Sequence, residues 1–177
     1  MRTALIGAIA AALAVAAGGC GIFDSNEDPY AHLKPVGGGF YFRVGADTTG
    51  AGNLTLLVET QVLYGCPSTC VAARTDVAGD RVNVNILGIR QTDLNCWADT
   101  LSPCTHTASY DTALALAPGT YAFRFTCSGK ELTYDVAVSS GRARVRGPVP
   151  DTTAFIVPGA GTFDLTRPVK PTVRCST

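Results

Sequence analysis

The chain has 177 residues, 46% of them hydrophobic and 16% charged, with 14 acidic and 14 basic side chains and a formal net charge of zero. That length suits one domain of ordinary size, and the charge balance leaves no global field for nucleic acid. Low charge with 19 Gly and 10 Pro excludes collagen, coiled coil and charge-driven disorder. Seven cysteines is an odd number, which a stable protein outside the cytosol has to account for.

Met1-Arg2-Thr3 is a short basic start, and Ala4 to Ala17 is an unbroken apolar run. As a helix the run would reach about 21 Å, short of a hydrocarbon core of about 30 Å. It reads as the apolar region of a secretory signal peptide. A buried helix of the mature fold is the alternative, but no later segment has a helical period to pack against it.

Ala17-Gly18-Gly19-Cys20 follows directly. It resembles the lipobox of bacterial lipoproteins, in which small residues precede a cysteine that becomes the lipid-modified N-terminus. Ala17 stands where that family usually has Leu, and Ala14-Val15-Ala16 offers an ordinary cleavage site. Parity separates the two: cleavage after Ala16 leaves seven cysteines, whereas lipidation of Cys20 leaves six to pair. The resemblance implies a diacylglyceryl group and an amide-linked chain on Cys20, hence firm attachment to a lipid bilayer in the cell envelope. Gly21, rather than Asp, implies the outer membrane in a Gram-negative source. In a Gram-positive source the protein would stand on the outer face of the only membrane.

Residues 1–19 are therefore expected to be a signal peptide and 20–39 a lipidated, flexible tether. Residues 40–177 form a single domain. Its pattern has period two: Phe40, Phe42 and Val44 alternate with Tyr41 and Arg43. Leu54, Leu56, Val58, Thr60 and Val62 share a face, as do Val82, Val84 and Ile86. These are half-buried antiparallel strands between Gly, Asp, Asn and Pro clusters.

The clearest unit is a meander. A turn at Ser128-Gly129 sets Phe125 opposite Leu132, Phe123 opposite Tyr134 and Tyr121 opposite Val136. A second turn at Ser140-Gly141 sets Val138 opposite Ala143, Val136 opposite Val145 and Asp135 opposite Arg146. Leu116-Ala117-Pro118-Gly119-Thr120-Tyr121 resembles the corner before a core strand in immunoglobulin-like and fibronectin-III-like sandwiches. The fold class that this implies is all-β, an antiparallel immunoglobulin-like β-sandwich braced by disulfides. Cys127 lies six residues past the tyrosine rather than two, so the antibody disulfide is not expected.

Cys66, Cys70, Cys96, Cys104, Cys127 and Cys175 are the disulfide candidates. Fifteen pairings exist in principle; the favoured set is Cys66–Cys70, Cys96–Cys104 and Cys127–Cys175. A metal reading would use Cys96, Cys104 and His106 with Cys66 or Cys70, but neither bracket has zinc-knuckle spacing and an oxidising envelope favours disulfides. No cofactor is expected.

His106 is the one histidine outside the tether, and Trp97, Tyr110, Ser109, Asp99 and Asp111 lie near it. A Ser-His-Asp hydrolase could draw on this stretch, 96–111, yet no nucleophile elbow supports one. The bland reading is a disulfide-braced surface loop. As a recognition loop it would offer Trp97, His106 and Tyr110, with Trp97 the single aromatic platform for a glycan.

Arg142, Arg144 and Arg146 alternate on one strand, and residues 142–174 hold six basic and two acidic residues. They are either a patch for an anionic envelope polymer or protein, or charges that guard a strand edge. The sequence thus points to a non-enzymatic envelope lipoprotein that displays a β domain for binding or attachment. A structural accessory subunit of a larger envelope assembly is the alternative, and a small hydrolase using His106 a weaker one.

Overall fold

The computed structural model describes residues 33–34, 38–47, 53–64, 69–91, 106–148 and 154–169. The signal and lipobox stretch, Cys66, Cys96, Trp97, Cys104 and Cys175 lie outside the described residues. Every regular element described is a strand: β1 (Phe40–Ala46), β2 (Leu54–Tyr64), β3 (Thr69–Ala78), β4 (Arg81–Gln91) and β5 (His106–Leu114), then β6 (Gly119–Cys127), β7 (Lys130–Ser139), β8 (Arg142–Arg146), β9 (Ile156–Pro158) and β10 (Thr162–Asp164).

They form two sheets, ordered β5-β2-β1-β9 and β10-β8-β7-β6-β4-β3. The all-β expectation holds, but the sheets are mixed rather than antiparallel. β1 runs parallel to β9, and β4 parallel to β6. The reason is connectivity. Between β4 and β6 the chain crosses to the other sheet to make β5, so it returns in its original direction. One sheet curls as a half-barrel. β3 packs against β5, where one edge of each sheet meets the other, and β10 lies against the inner strand β1.

The meander has the expected registers, with Phe123 opposite Tyr134, Phe125 opposite Leu132 and Val136 opposite Val145. Ser128 and Gly129 both have positive φ, 49° and 77°. That backbone matches the right-handed twist of the flanking strands. Inward-facing aromatics fill the space between the sheets. The Phe42 ring lies 4.8 Å from Phe125, 5.2 Å from Tyr134 and 6.1 Å from Phe163. Tyr134 is buried, and its hydroxyl donates to the Ile156 carbonyl at 2.7 Å.

β2 departs from the half-buried expectation. Leu54 through Thr60 are all buried, so this part of the strand is covered on both faces. Between Glu59 and Leu63 its register with β5 shifts. There the buried Thr60 hydroxyl donates to the Val62 carbonyl at 2.8 Å and accepts from the Ala108 N–H at 3.1 Å. One side chain thus satisfies two backbone groups that the bulge removes from the ladder. Past it, Val62 and Leu63 turn to solvent.

Lys34, in the stretch read as tether, is held against the folded body. Lys34 donates its N–H to the Ile89 carbonyl at 2.9 Å and accepts from the Ile89 N–H at 3.0 Å. β6 pairs with β4 only as far as Ile86, so Lys34 fills the open flank beyond it. A Cβ at Gly88 would stand 2.9 Å from the Lys34 carbonyl oxygen, and glycine permits that approach.

Candidate functional site

β8 presents Arg142, Arg144 and Arg146 on the outer face of the six-stranded sheet, all exposed. Alternate residues of a strand stand about 7 Å apart on one face, so the three guanidinium groups form a row. The strand is not an edge: β7 lies on one side, and β10 pairs with it from Arg142 to Arg144 on the other. Protection against edge pairing therefore does not account for the row.

The cross-strand neighbours of the three arginines differ. Arg142 lies opposite Ser139 and Asp164, and Arg146 opposite Asp135. Arg144 lies between Thr162 and Ala137, neither of them charged. Asp164 is occupied locally: Thr166 donates to its Oδ1 from Oγ1 at 2.6 Å and from its N–H at 2.9 Å, and Arg167 lies 3.4 Å away. The Thr166 hydrogen bonds first, then Arg167 and Arg142, hold the Asp164 carboxyl below its ordinary range. Toward the middle of the sheet, Arg124 pairs with Glu131, and Thr126 Oγ1 donates to Asn85 Oδ1 at 3.0 Å. Arg144 makes no ion pair among the described residues, so the centre of the row carries uncompensated positive charge.

The stretch 96–111 is not a single loop. His106 to Leu114 is strand β5, so its last six residues belong to the sheet. Tyr110 lies opposite Val58 and packs against the core. Its hydroxyl donates to Thr75 Oγ1 at 3.1 Å, joining β5 to β3 across the two sheets. Tyr110 is thereby half-buried between the two sheets. His106 lies opposite Tyr64 at the start of β5; its side chain, and Trp97 altogether, are outside the described residues.

Of the candidate cysteines, two are described. Cys70, buried at the start of β3, is disulfide-bonded, to a residue outside those described. Cys127 is buried and free, so the pairing expected with Cys175 is not made. The Cys127 thiol ends β6 within the core cluster, 3.8 Å from Ser128 Oγ. Among the described residues no group of three or more His, Cys, Asp or Glu could hold a metal ion.

One polar cluster escaped the sequence reading. Glu59 is 2% exposed on the outer face of the four-stranded sheet. Its Oε2 lies 3.5 Å from Arg43 Nη2, and its Oε1 accepts from Thr107 Oγ1 at 3.3 Å. The signal was Leu57, an apolar residue out of phase with Leu54, Leu56 and Val58, which marks a strand covered on both faces. As a buried carboxylate held by an arginine and a hydroxyl, Glu59 suits a structural ion pair.

No family model matches the chain, and no curated protein and no solved structure matches it either.

Proposed function

We propose that this chain is a lipid-anchored cell-envelope protein whose two-sheet β body binds an anionic partner without catalysis. The observation that carries the reading is the arginine row on β8, set on an internal strand with Arg144 unpaired among the described residues. A row of positive charge repeated about every 7 Å suits a partner with repeated negative groups, such as an anionic envelope polymer. The lipid anchor rests on Ala17-Gly18-Gly19-Cys20 and on the cysteine parity argument. The immunoglobulin-like character of the sandwich belongs to the same proposal. In its favour, the Tyr121 hydroxyl donates to the Ala117 carbonyl at 2.9 Å, as a tyrosine corner does. The parallel pairs β1/β9 and β4/β6 stand against it.

The test is retention of the intact protein on immobilised polyphosphate at rising salt. Wild type should be retained and should elute with added salt, while the Arg142→Ser/Arg144→Ser/Arg146→Ser variant should flow through with unchanged circular dichroism. Equal retention of the two would remove the row from consideration. Metabolic labelling with palmitate, lost in Cys20→Ala, tests the anchor separately.

A further inference from the structure

The interval of the β8 arginines is set by the backbone. Alternate Cα atoms of a strand are six bonds apart and, extended, lie about 7 Å from one another. Arg142, Arg144 and Arg146 therefore offer one charge at each such interval, and all three are exposed.

Strand pairing confines that charge to a line. Asp164 lies opposite Arg142 on β10, and Asp135 lies opposite Arg146 on β7. The two carboxylates thus stand on opposite flanks of the row, at its opposite ends. An anion laid across the strands at either end meets one of them, and a broad anionic surface meets both. A linear anion laid along β8 passes between them. The middle of the row is uncrowded: Ala137 and Thr162 flank Arg144, and beside Thr162 the position of Gly161 opens on free space.

The same face has no platform for a ring. Among the described residues, the outward positions of β6, β7, β8 and β10 carry Thr, Ala, Ser, Arg, Asp and Glu. The aromatic residues of these strands alternate toward the other sheet, as Phe123, Tyr134 and Phe163 do in the core. Bases stack on aromatic side chains, so this face favours a chain without them. A phosphodiester polymer on three-carbon units meets these requirements. Its phosphorus atoms are separated by six bonds (P–O–C–C–C–O–P), the same number as alternate Cα atoms. Each phosphate carries one negative charge and two free oxygens, which match the arginine fork.

We propose that the row binds a linear polyphosphodiester of the glycerol phosphate type, laid along β8 with consecutive phosphates on Arg142, Arg144 and Arg146. The proposal rests on the anionic-partner reading of the row and names the repeat that it takes. The backbone of single-stranded nucleic acid has the same interval, and the missing aromatic platform argues against it.

The experiment titrates the full-length protein, in neutral detergent, with synthetic glycerol phosphate oligomers by calorimetry. Affinity should rise steeply from one phosphate to three, then grow only with the number of registers available. Three phosphates on six-carbon spacers carry the same charge at a longer interval and should bind about tenfold more weakly. Arg144→Gln should also lose about tenfold and lower the salt slope by about 0.7, the value for one phosphate of a single strand. Arg124→Gln, on the same face but paired with Glu131, should bind as wild type does. Equal affinity for the three-carbon and six-carbon oligomers would overturn the proposal and leave the row a plain anion site. Tighter binding of single-stranded DNA or of oligogalacturonate of equal charge would overturn it in favour of that polymer. Wild type that is not retained even on polyphosphate would overturn the anionic-partner reading and the proposal with it.

Discussion

Arg43 Nη2 lies 3.5 Å from Glu59 Oε2, and the two side chains differ sharply in exposure, 41% for the arginine and 3% for the glutamate. The pair spans neighbouring strands of the four-stranded sheet, since Arg43 lies opposite Leu57 and Glu59 opposite Tyr41. A carboxylate that is buried without its cation loses its solvation and gains nothing in return. Arg43→Met should therefore destabilise the fold by about 2 kcal/mol, less than a fully buried pair because half of the arginine is solvated. Glu59→Gln keeps an oxygen to accept from Thr107 and removes the charge, so it should cost less than Arg43→Met. Urea unfolding of both variants and of their combination measures this. A combination that loses as much as the sum of the single changes would show that the two side chains do not interact.

Tyr134 gives stability an alkaline limit. Burial raises its hydroxyl above the ordinary tyrosine range, and burial raises Tyr64 as well. The unfolded chain releases these protons from about pH 10, while the folded chain still holds them. The unfolded state then binds fewer protons, so stability is complete below that pH and is lost as the pH rises through it. The acid limit has the opposite sign. Asp164, lowered first by its hydrogen bonds from Thr166, and Glu131, lowered first by the hydrogen bond it accepts from Arg124, favour the fold at neutral pH. That contribution disappears as the pH falls below about 4. Tyr134→Phe should flatten the alkaline limb and also cost about 1–2 kcal/mol at pH 7, from loss of the buried hydrogen bond to Ile156. Urea midpoints between pH 7 and pH 11 that are parallel for the two proteins would refute the assignment.

The meander was legible because its alternation is strict and its turns carry Ser-Gly at both bends. A slip of one residue would have put Phe123 and Tyr134 on opposite faces. β4 showed itself in the same way, through Val82, Val84 and Ile86. The rest was hidden for identifiable reasons. β3 is mostly exposed beyond Val71 and carries no apolar alternation that would mark it as a strand. β9 and β10 have three residues each, too few for a period to appear. The parallel pairings depend on which sheet β5 joins, a long-range fact that local pattern does not contain. The arginine row was visible in the sequence, but its meaning was not: only β10, paired on its far side, shows that β8 is covered. Glu59 passed without notice because local pattern does not show which elements cover its face of β2.

Cys127 is the residue on which the sequence and the structure differ most concretely. Six candidate cysteines suggested complete pairing, yet this thiol is free and 8% exposed. It lies at the end of β6, where Lys130 and Ile86 are its neighbours on either side. A buried thiol packs as a small apolar group and reacts only when the structure opens. Iodoacetamide should therefore leave the peptide containing Cys127 unmodified in the folded, unreduced protein and modify it once urea unfolds the chain. Mass spectrometry of the digested protein reads both states. Cys127→Ala should fold and cost about 1 kcal/mol, the scale of a small buried side chain shortened by one atom. If Cys127 instead closed a disulfide to the C-terminal tail, its peptide would stay unmodified in urea until a reductant was added. Cys127→Ala would then cost about 4 kcal/mol, the loop entropy released by opening a closure of nearly fifty residues.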